Sequence, residues 1–311
     1  MTSAPHDTGG HMSRMVGVAA GVAVALAGPT AAAGDPSFEF QKAPVDAKAP
    51  EWKASVTAGL AWTTGNSDTT ALSGTGKVSR KHRRSRFQLE AGGAFARSQI
   101  AFAVDANANG VVDGAAEIAE REVTTTKAWA TKARYDVFIT SQNAAFVSLN
   151  AAADEPAGKQ FVGGGQVGYS RTLVASDRTT VTAEFGYDLS YEDPVVGDGV
   201  AIHSVRAFGG WEAKFNPHST ADASIELLSN VNRLDVATGR VDRFEDTRVN
   251  AAAKLTTRVW EELSVGVALL LRYDHAPSAR PPLDLPYADG FVPPADSVDT
   301  RTEITAIYTF M

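Results

Sequence analysis

Between Val181 and Tyr191 every odd residue is apolar (Val181, Ala183, Phe185, Tyr187, Leu189, Tyr191), while Thr182, Glu184, Asp188 and Ser190 stand between them. A period of two predicts a strand with one apolar and one wet face. The alternation returns near 54–64, 70–80, 85–97, 122–136, 144–152, 160–172, 179–191, 200–214, 219–231, 245–257, 261–273 and 300–310. That makes about twelve segments, an even number. Their connections alternate in length. Residues 81–84, 139–143, 174–178, 216–218 and 258–260 are short links, and 98–120, 153–159, 192–199, 232–244 and 274–299 are longer ones. The exception is Thr64-Gly65-Asn66-Ser67-Asp68, a compact hairpin with turn residues. Tight turns opposite long loops predict an all-β fold, a transmembrane antiparallel β-barrel in an up-and-down meander.

With odd positions outward on most strands, the lipid face is small and branched: Val249, Ala251, Ala253 and Leu255, or Val265, Val267, Leu269 and Leu271. Aromatic residues then fall at strand ends. Trp62, Tyr191 and Tyr273 lie toward the external rim, and Phe87, Tyr169, Phe215, Tyr308 and Phe310 toward the periplasmic rim, as two interfacial girdles. The fourth strand stays open by one residue, because either Trp129 or the pair Ala128 and Ala130 fits the lipid face. A soluble sandwich would cover its apolar face with a second sheet and has no need of girdles.

Ahead of the strands, Arg14, the apolar run 15–27 and Ala31-Ala32-Ala33 read as a signal peptide over 1–33. Residues 34–52 follow as a periplasmic lead-in, and 53–311 as the barrel. These features predict the outer membrane of a Gram-negative bacterium. Expected partners are outer-membrane lipids and, through the closing strand Thr302, Ile304, Ala306, Tyr308 and Phe310, the barrel-assembly machinery. A mean hydropathy of −0.14 with 44% hydrophobic residues suits strands of alternating faces rather than spanning helices. The net charge of −7 offers nucleic acid no basic field, and the absence of cysteine removes disulfides and thiolate metal sites.

Inward positions carry both signs. Glu90, Glu184, Asp188, Glu212, Asp222 and Glu226 face Lys77, Arg206, Lys214, Arg248, Lys254, Arg272 and Arg301. Charges enclosed by a barrel persist only when paired or wet, so the lumen is either a cross-linked polar filler or a narrow selective channel. Both readings stay open at this point. In the link 98–120, Asp105, Asn107, Asn109 and Asp113 occupy the first, third, fifth and ninth positions of a calcium loop around Gly110. Ala116 takes the twelfth, with Glu117 one place late, so a polar Asn/Gly loop explains the match better than a calcium site and no cofactor is expected elsewhere.

The chain is expected to be no enzyme. A lipid-modifying barrel would use an outward His and Ser at the external rim. Counting through the turn after Phe215 pairs Val205 with Ser229 and leaves Ser229 diagonal to His203, with no residue to orient the ring. A third class, a receptor or adhesin, would act through loops 98–120 and 274–298. The basic turn Lys81-His82-Arg83-Arg84 suits either inner-leaflet phosphates or plain solvation.

The segments Gly59–Thr70, Ala133–Thr140, Gly163–Ser170 and Asp299–Phe310 resemble the salt-induced outer membrane protein family of the YdiY type, over about 52–311. The resemblance implies a barrel and supplies no catalytic residue. The insert at 98–120 departs from the family pattern.

Overall fold

In a computed structural model, described over residues 47–63, 69–103, 118–237, 239–279 and 297–310, the alternating segments form strands and close on themselves. They are β1 (Ala47–Thr63), β2 (Thr69–Arg83), β3 (Ser85–Ala103), β4 (Ile118–Phe138), β5 (Asn143–Asp154), β6 (Lys159–Ala175) and β7 (Thr179–Pro194). There follow β8 (Val200–Asn216), β9 (Ser219–Asn230), the short pair β10 (Leu234–Val236) and β11 (Gly239–Val241), then β12 (Thr247–Arg258), β13 (Leu263–Asp274) and β14 (Val298–Phe310). Among the described residues twelve of these strands make one antiparallel barrel in sequence order, and β1 closes against β14 with Val56 opposite Tyr308. Every edge is paired, which is how a sheet satisfies its backbone in lipid.

Side-chain parity follows the sequence pattern. On β7 Phe185, Tyr187, Leu189 and Tyr191 are exposed outward, whereas Thr182, Glu184, Asp188 and Ser190 are buried inside. On β4 Trp129 faces out, and Thr126, Ala128 and Ala130 face in. This settles the open register of that strand. An apolar exterior around a polar interior inverts the soluble plan and is the surface of a membrane-spanning barrel.

Four boundaries differ from the sequence reading. First, β1 begins at Ala47, inside the stretch expected as a lead-in. Its early pairing with β2 shifts register between Ala47 and Glu51, where Pro50, with no N–H to give, is tolerated. Second, β3 and β4 continue pairing as far as Ala103 and Ile118, so the long insert shrinks to 104–117. A register shift past Ala96 accommodates the extension. Third, link 232–244 contains the hairpin β10–β11, too short to show as periodicity. Fourth, β2 and β3 join at Arg83 and Arg84, with Arg83 in the left-handed region at φ 51°. The signal peptide 1–33 and the calcium-loop residues Asp105, Asn107, Asn109 and Asp113 lie outside the described residues.

Candidate functional site: a charged belt across the lumen

The even positions of β7 and β8 bring Glu184 and Arg206 into the lumen, and the parity fixed by Trp129 adds Arg134 and Asp136 from β4. Arg134 holds Asp136 Oδ1 through Nε at 2.9 Å and Nη2 at 2.8 Å, and grips Glu184 through Nη2 at 2.6 Å and Nη1 at 3.1 Å. Glu184 Oε2 also accepts from Arg206 Nη1 at 2.9 Å. The run continues at both ends: Arg86 Nε donates to Asp136 Oδ2 at 3.1 Å, and Arg206 Nε donates to Glu226, which also accepts from Asn250 Nδ2 at 3.1 Å. Sign alternates strictly along Arg86, Asp136, Arg134, Glu184, Arg206 and Glu226. The belt is neutral.

Its reach is non-local. β4 and β7 are separated by β5 and β6, about 14 Å along the wall at the usual strand spacing, so Arg134 and Glu184 meet only because the sheet curves. Between them Phe146 of β5 lies under both guanidiniums, 4.0 Å from that of Arg134 and 5.5 Å from that of Arg206. Burial is nearly complete, with Asp136 at 0% and Glu184 at 5% exposure. Charges this dry are held by paired, directional hydrogen bonds rather than by loose attraction.

On the long-loop side a hydrogen-bonded chain around the Asp188 carboxylate backs the belt. Ser148 Oγ donates to Gln166 Oε1 at 3.2 Å, Gln166 Nε2 donates to Asp188 Oδ1 at 3.0 Å, and Ser190 Oγ donates to Asp188 Oδ2. Higher still, Lys159 Nζ bridges Glu192 at 3.1 Å and Asp274 at 3.8 Å. A lid, the β10–β11 hairpin and its flanks, packs beside β8 at this end. Asn230, with 0% exposure, donates from Nδ2 to the carbonyls of Asn232 and Asp242 at 2.8 Å each and accepts from Asp246 N–H at 2.9 Å, while Leu234 of the hairpin is buried beneath. One small cavity lies under the lid and another beside the belt. The first, of about 30 Å³, lies among Glu192, Ile202, Leu234, Asp246 and Arg248, and the second, of about 10 Å³, lies beside Arg86, Asp136 and Thr182.

The opposite wall is different. Inward residues of β12 (Asn250, Ala252, Lys254, Thr256), β13 (Ala268, Leu270) and β1 (Ser55, Thr57) are half-buried, whereas Arg86, Asp136, Arg134, Glu184 and Arg206 of the belt are buried. Since they point inside, the solvent they meet is in the lumen.

A match to the family described as "Protein of unknown function, DUF481" covers residues 56–310. The chain belongs to the DUF481 family. The resemblance read from the sequence agrees with this membership. The curated proteins compared give no match. Among solved structures, this DUF481 barrel is similar to the NanC porin (11% identity, TM-score 0.44, 83% of this chain and 100% of that one). It is also similar to the translocator domain of the autotransporter NalP from Neisseria meningitidis (11%, 0.40, 84% and 88%) and to the anion-selective porin from Comamonas acidovorans (10%, 0.36, 84% and 99%). Similarity at this level leaves the reading of the DUF481 chain to its own geometry.

Of the interior charges expected from sequence, Glu184, Arg206 and Glu226 form the belt, Asp188 the chain behind it, and Arg248 contacts Ser204 Oγ at 3.0 Å on the lid side. Glu90 lies 3.7 Å from Lys77. Glu212 stands opposite Asp222, which stands opposite Lys254 in turn, and Arg272 stands opposite Asp299. Lys214 is exposed near the short-turn end rather than enclosed, because β8 runs to the barrel's edge there. Arg301 pairs with Leu270 in the ladder. The side chains of Arg301, Trp62 and Phe310 are outside the described ones. Sequence reasoning missed Arg86, Arg134 and Asp136. The signal for Arg134 and Asp136 is Trp129, whose outward ring fixes β4's parity, and Arg86 follows from the outward Phe87 beside it on β3.

Girdle residues Phe87, Tyr169, Tyr191, Phe215 and Tyr308 are exposed on the outer face, and Tyr273 is half-buried with its hydroxyl 3.1 Å from His275 Nδ1. Val205 does pair with Ser229, yet the polar partner of the His203 ring is the Tyr187 hydroxyl. Among the described residues no group of three or more His, Asp or Glu is placed to hold a metal ion.

Proposed function

We propose that this chain is a non-enzymatic outer-membrane barrel of a Gram-negative bacterium that acts as a narrow, off-centre passage for small solutes, with the charged belt as its constriction. Its short turns face the periplasm and its long loops the outside, the arrangement that barrels with both termini on the turn side adopt. The alternation of the closing strand up to Phe310 supports delivery by the barrel-assembly machinery. The observation that carries the reading is the asymmetry of the lumen: buried, cross-linked side chains from β3, β4, β5, β7 and β8 on one side, half-buried ones from β12, β13 and β1 on the other. A barrel built only as an envelope strut would gain nothing from leaving one wall unfilled.

The absence of native cysteine makes the test direct. Single cysteines at Thr57 and Ala252 should react with a small charged thiol reagent, and the reaction should reduce a stepwise current in planar bilayers. Cysteines at Ser148 and Thr182, beside the belt, should stay unreacted. A silent bilayer with all four positions unreactive contradicts the passage and leaves a sealed barrel.

A further inference from the structure

On the outer face of β2, near the short-turn end, Arg80 stands in the middle of an aromatic row. The ladder sets Trp52 of β1 opposite Arg80, Arg80 opposite Phe87 of β3, and Phe87 opposite Tyr135 of β4. All three rings are exposed outward, and the Arg80 guanidinium lies 5.6 Å from the Trp52 ring centre. An arginine at girdle depth sits where its charge can meet a lipid headgroup. Here no carboxylate meets it. Among the described residues Arg80 has the Trp52 ring as its partner, and its Nε is enclosed with no hydrogen bond. Two residues on, His82 shares the same face, and its Nδ1 is likewise enclosed without a hydrogen bond. The exposed Arg83 and Arg84 complete the turn, three to four residues and about 10 Å further along. The terminal Nη groups of Arg80, the Nε2 edge of His82, an aromatic platform and the exposed Arg83 and Arg84 fit one kind of group: an oxyanion at headgroup depth with acyl chains running up the apolar wall.

We infer that Arg80, His82 and Trp52 form a binding site for the phosphate of an anionic phospholipid in the leaflet at the short-turn end. The assignment of that leaflet as periplasmic rests on the orientation proposed above, whereas lipid binding itself can be read without any current. Arg80 offers a planar fork to the phosphate, Trp52 holds the fork's plane, and His82 supplies a second donor from one pleat further down. Such a site would anchor the barrel's depth and tilt on the strand next to its closure seam.

Native mass spectrometry of the detergent-extracted full barrel tests this, with phosphatidylglycerol or phosphatidylcholine added. Retained phosphatidylglycerol should exceed phosphatidylcholine, should fall about fivefold in Arg80→Gln, as expected for one interfacial cation, and should be unchanged in Arg258→Gln, an exposed cation of another turn at the same end. Should Arg80→Gln fail to refold, Trp52→Leu, which removes the platform, should show the same loss. Equal binding of the two lipids overturns the site. So does an equal loss in Arg258→Gln, which would mean diffuse charge attraction, or displacement of lipid by millimolar inorganic phosphate, which would mean a free-anion site.

Discussion

Phe146 stands directly opposite Gly168 in the β5–β6 ladder, and a Cβ at that glycine would come within 2.8 Å of the ring and 2.6 Å of the Phe185 carbonyl. The glycine is therefore a floor for the ring that supports Arg134 and Arg206. Gly168→Val forces the ring upward into the guanidiniums. The expected cost is about 1–3 kcal/mol, read as a lower urea midpoint for loss of the heat-modifiable gel form.

Removing the central acid should be worse than removing the whole belt. Glu184→Ala leaves two buried guanidiniums facing each other and should destabilise the barrel by about 3–5 kcal/mol. The sixfold variant Arg86→Met, Asp136→Leu, Arg134→Met, Glu184→Leu, Arg206→Met, Glu226→Leu exchanges the pairs for apolar volume and should unfold near the wild-type midpoint. A single Glu184→Ala that unfolds like wild type would mean the belt is wet.

The lid should respond to pH through Asp246. Burial, chiefly, holds its carboxyl above the usual carboxylate range. Asp274 and Glu192 add to the shift, and Arg248 and Lys159 pull the other way. A raised native value means the folded lid prefers the protonated acid. Its contribution to stability is full below the ordinary aspartate value of about 3.9 and is lost as pH climbs through the raised one. Hydrogen-exchange protection of the Asn230 and Phe244 amides, corrected for intrinsic rates, should fall with rising pH in the wild type. In Asp246→Asn it should stay flat.

Asn230 holds the same lid through side-chain bonds to Asn232, Asp242 and Asp246. Asn230→Ala should free the loop without touching the belt. Trypsin at pH 8 should then nick after Arg233, Arg240 or Arg243, where the wild type resists, while the barrel keeps its gel mobility.

Much of this architecture is legible in the residues themselves. Period-two runs such as Val265, Val267, Leu269 and Leu271 show both the strand and its lipid face, because hydrocarbon accepts no compromise in parity. Link lengths give the meander, and the pairing of Val205 with Ser229 follows from counting through one turn. The belt does not follow. Arg134 and Glu184 are 50 positions apart and two strands removed, so their contact depends on barrel curvature, which no local pattern encodes. Arg134 and Asp136 were hidden by one undecided residue, since β4 carries polar residues on both faces near Thr124–Lys127 and Trp129 breaks the tie. The hairpin β10–β11 was hidden because three-residue strands leave no period.

The claim beneath the rest is that alternate side chains of each strand meet lipid and lumen. Spin labels on single cysteines at every position from Leu263 to Leu271 in reconstituted vesicles measure it most directly. The account predicts high accessibility to oxygen at 265, 267, 269 and 271, and higher accessibility to a water-soluble metal chelate at 264, 268 and 270. A profile without the two-residue period, or one shifted by a residue, would contradict it.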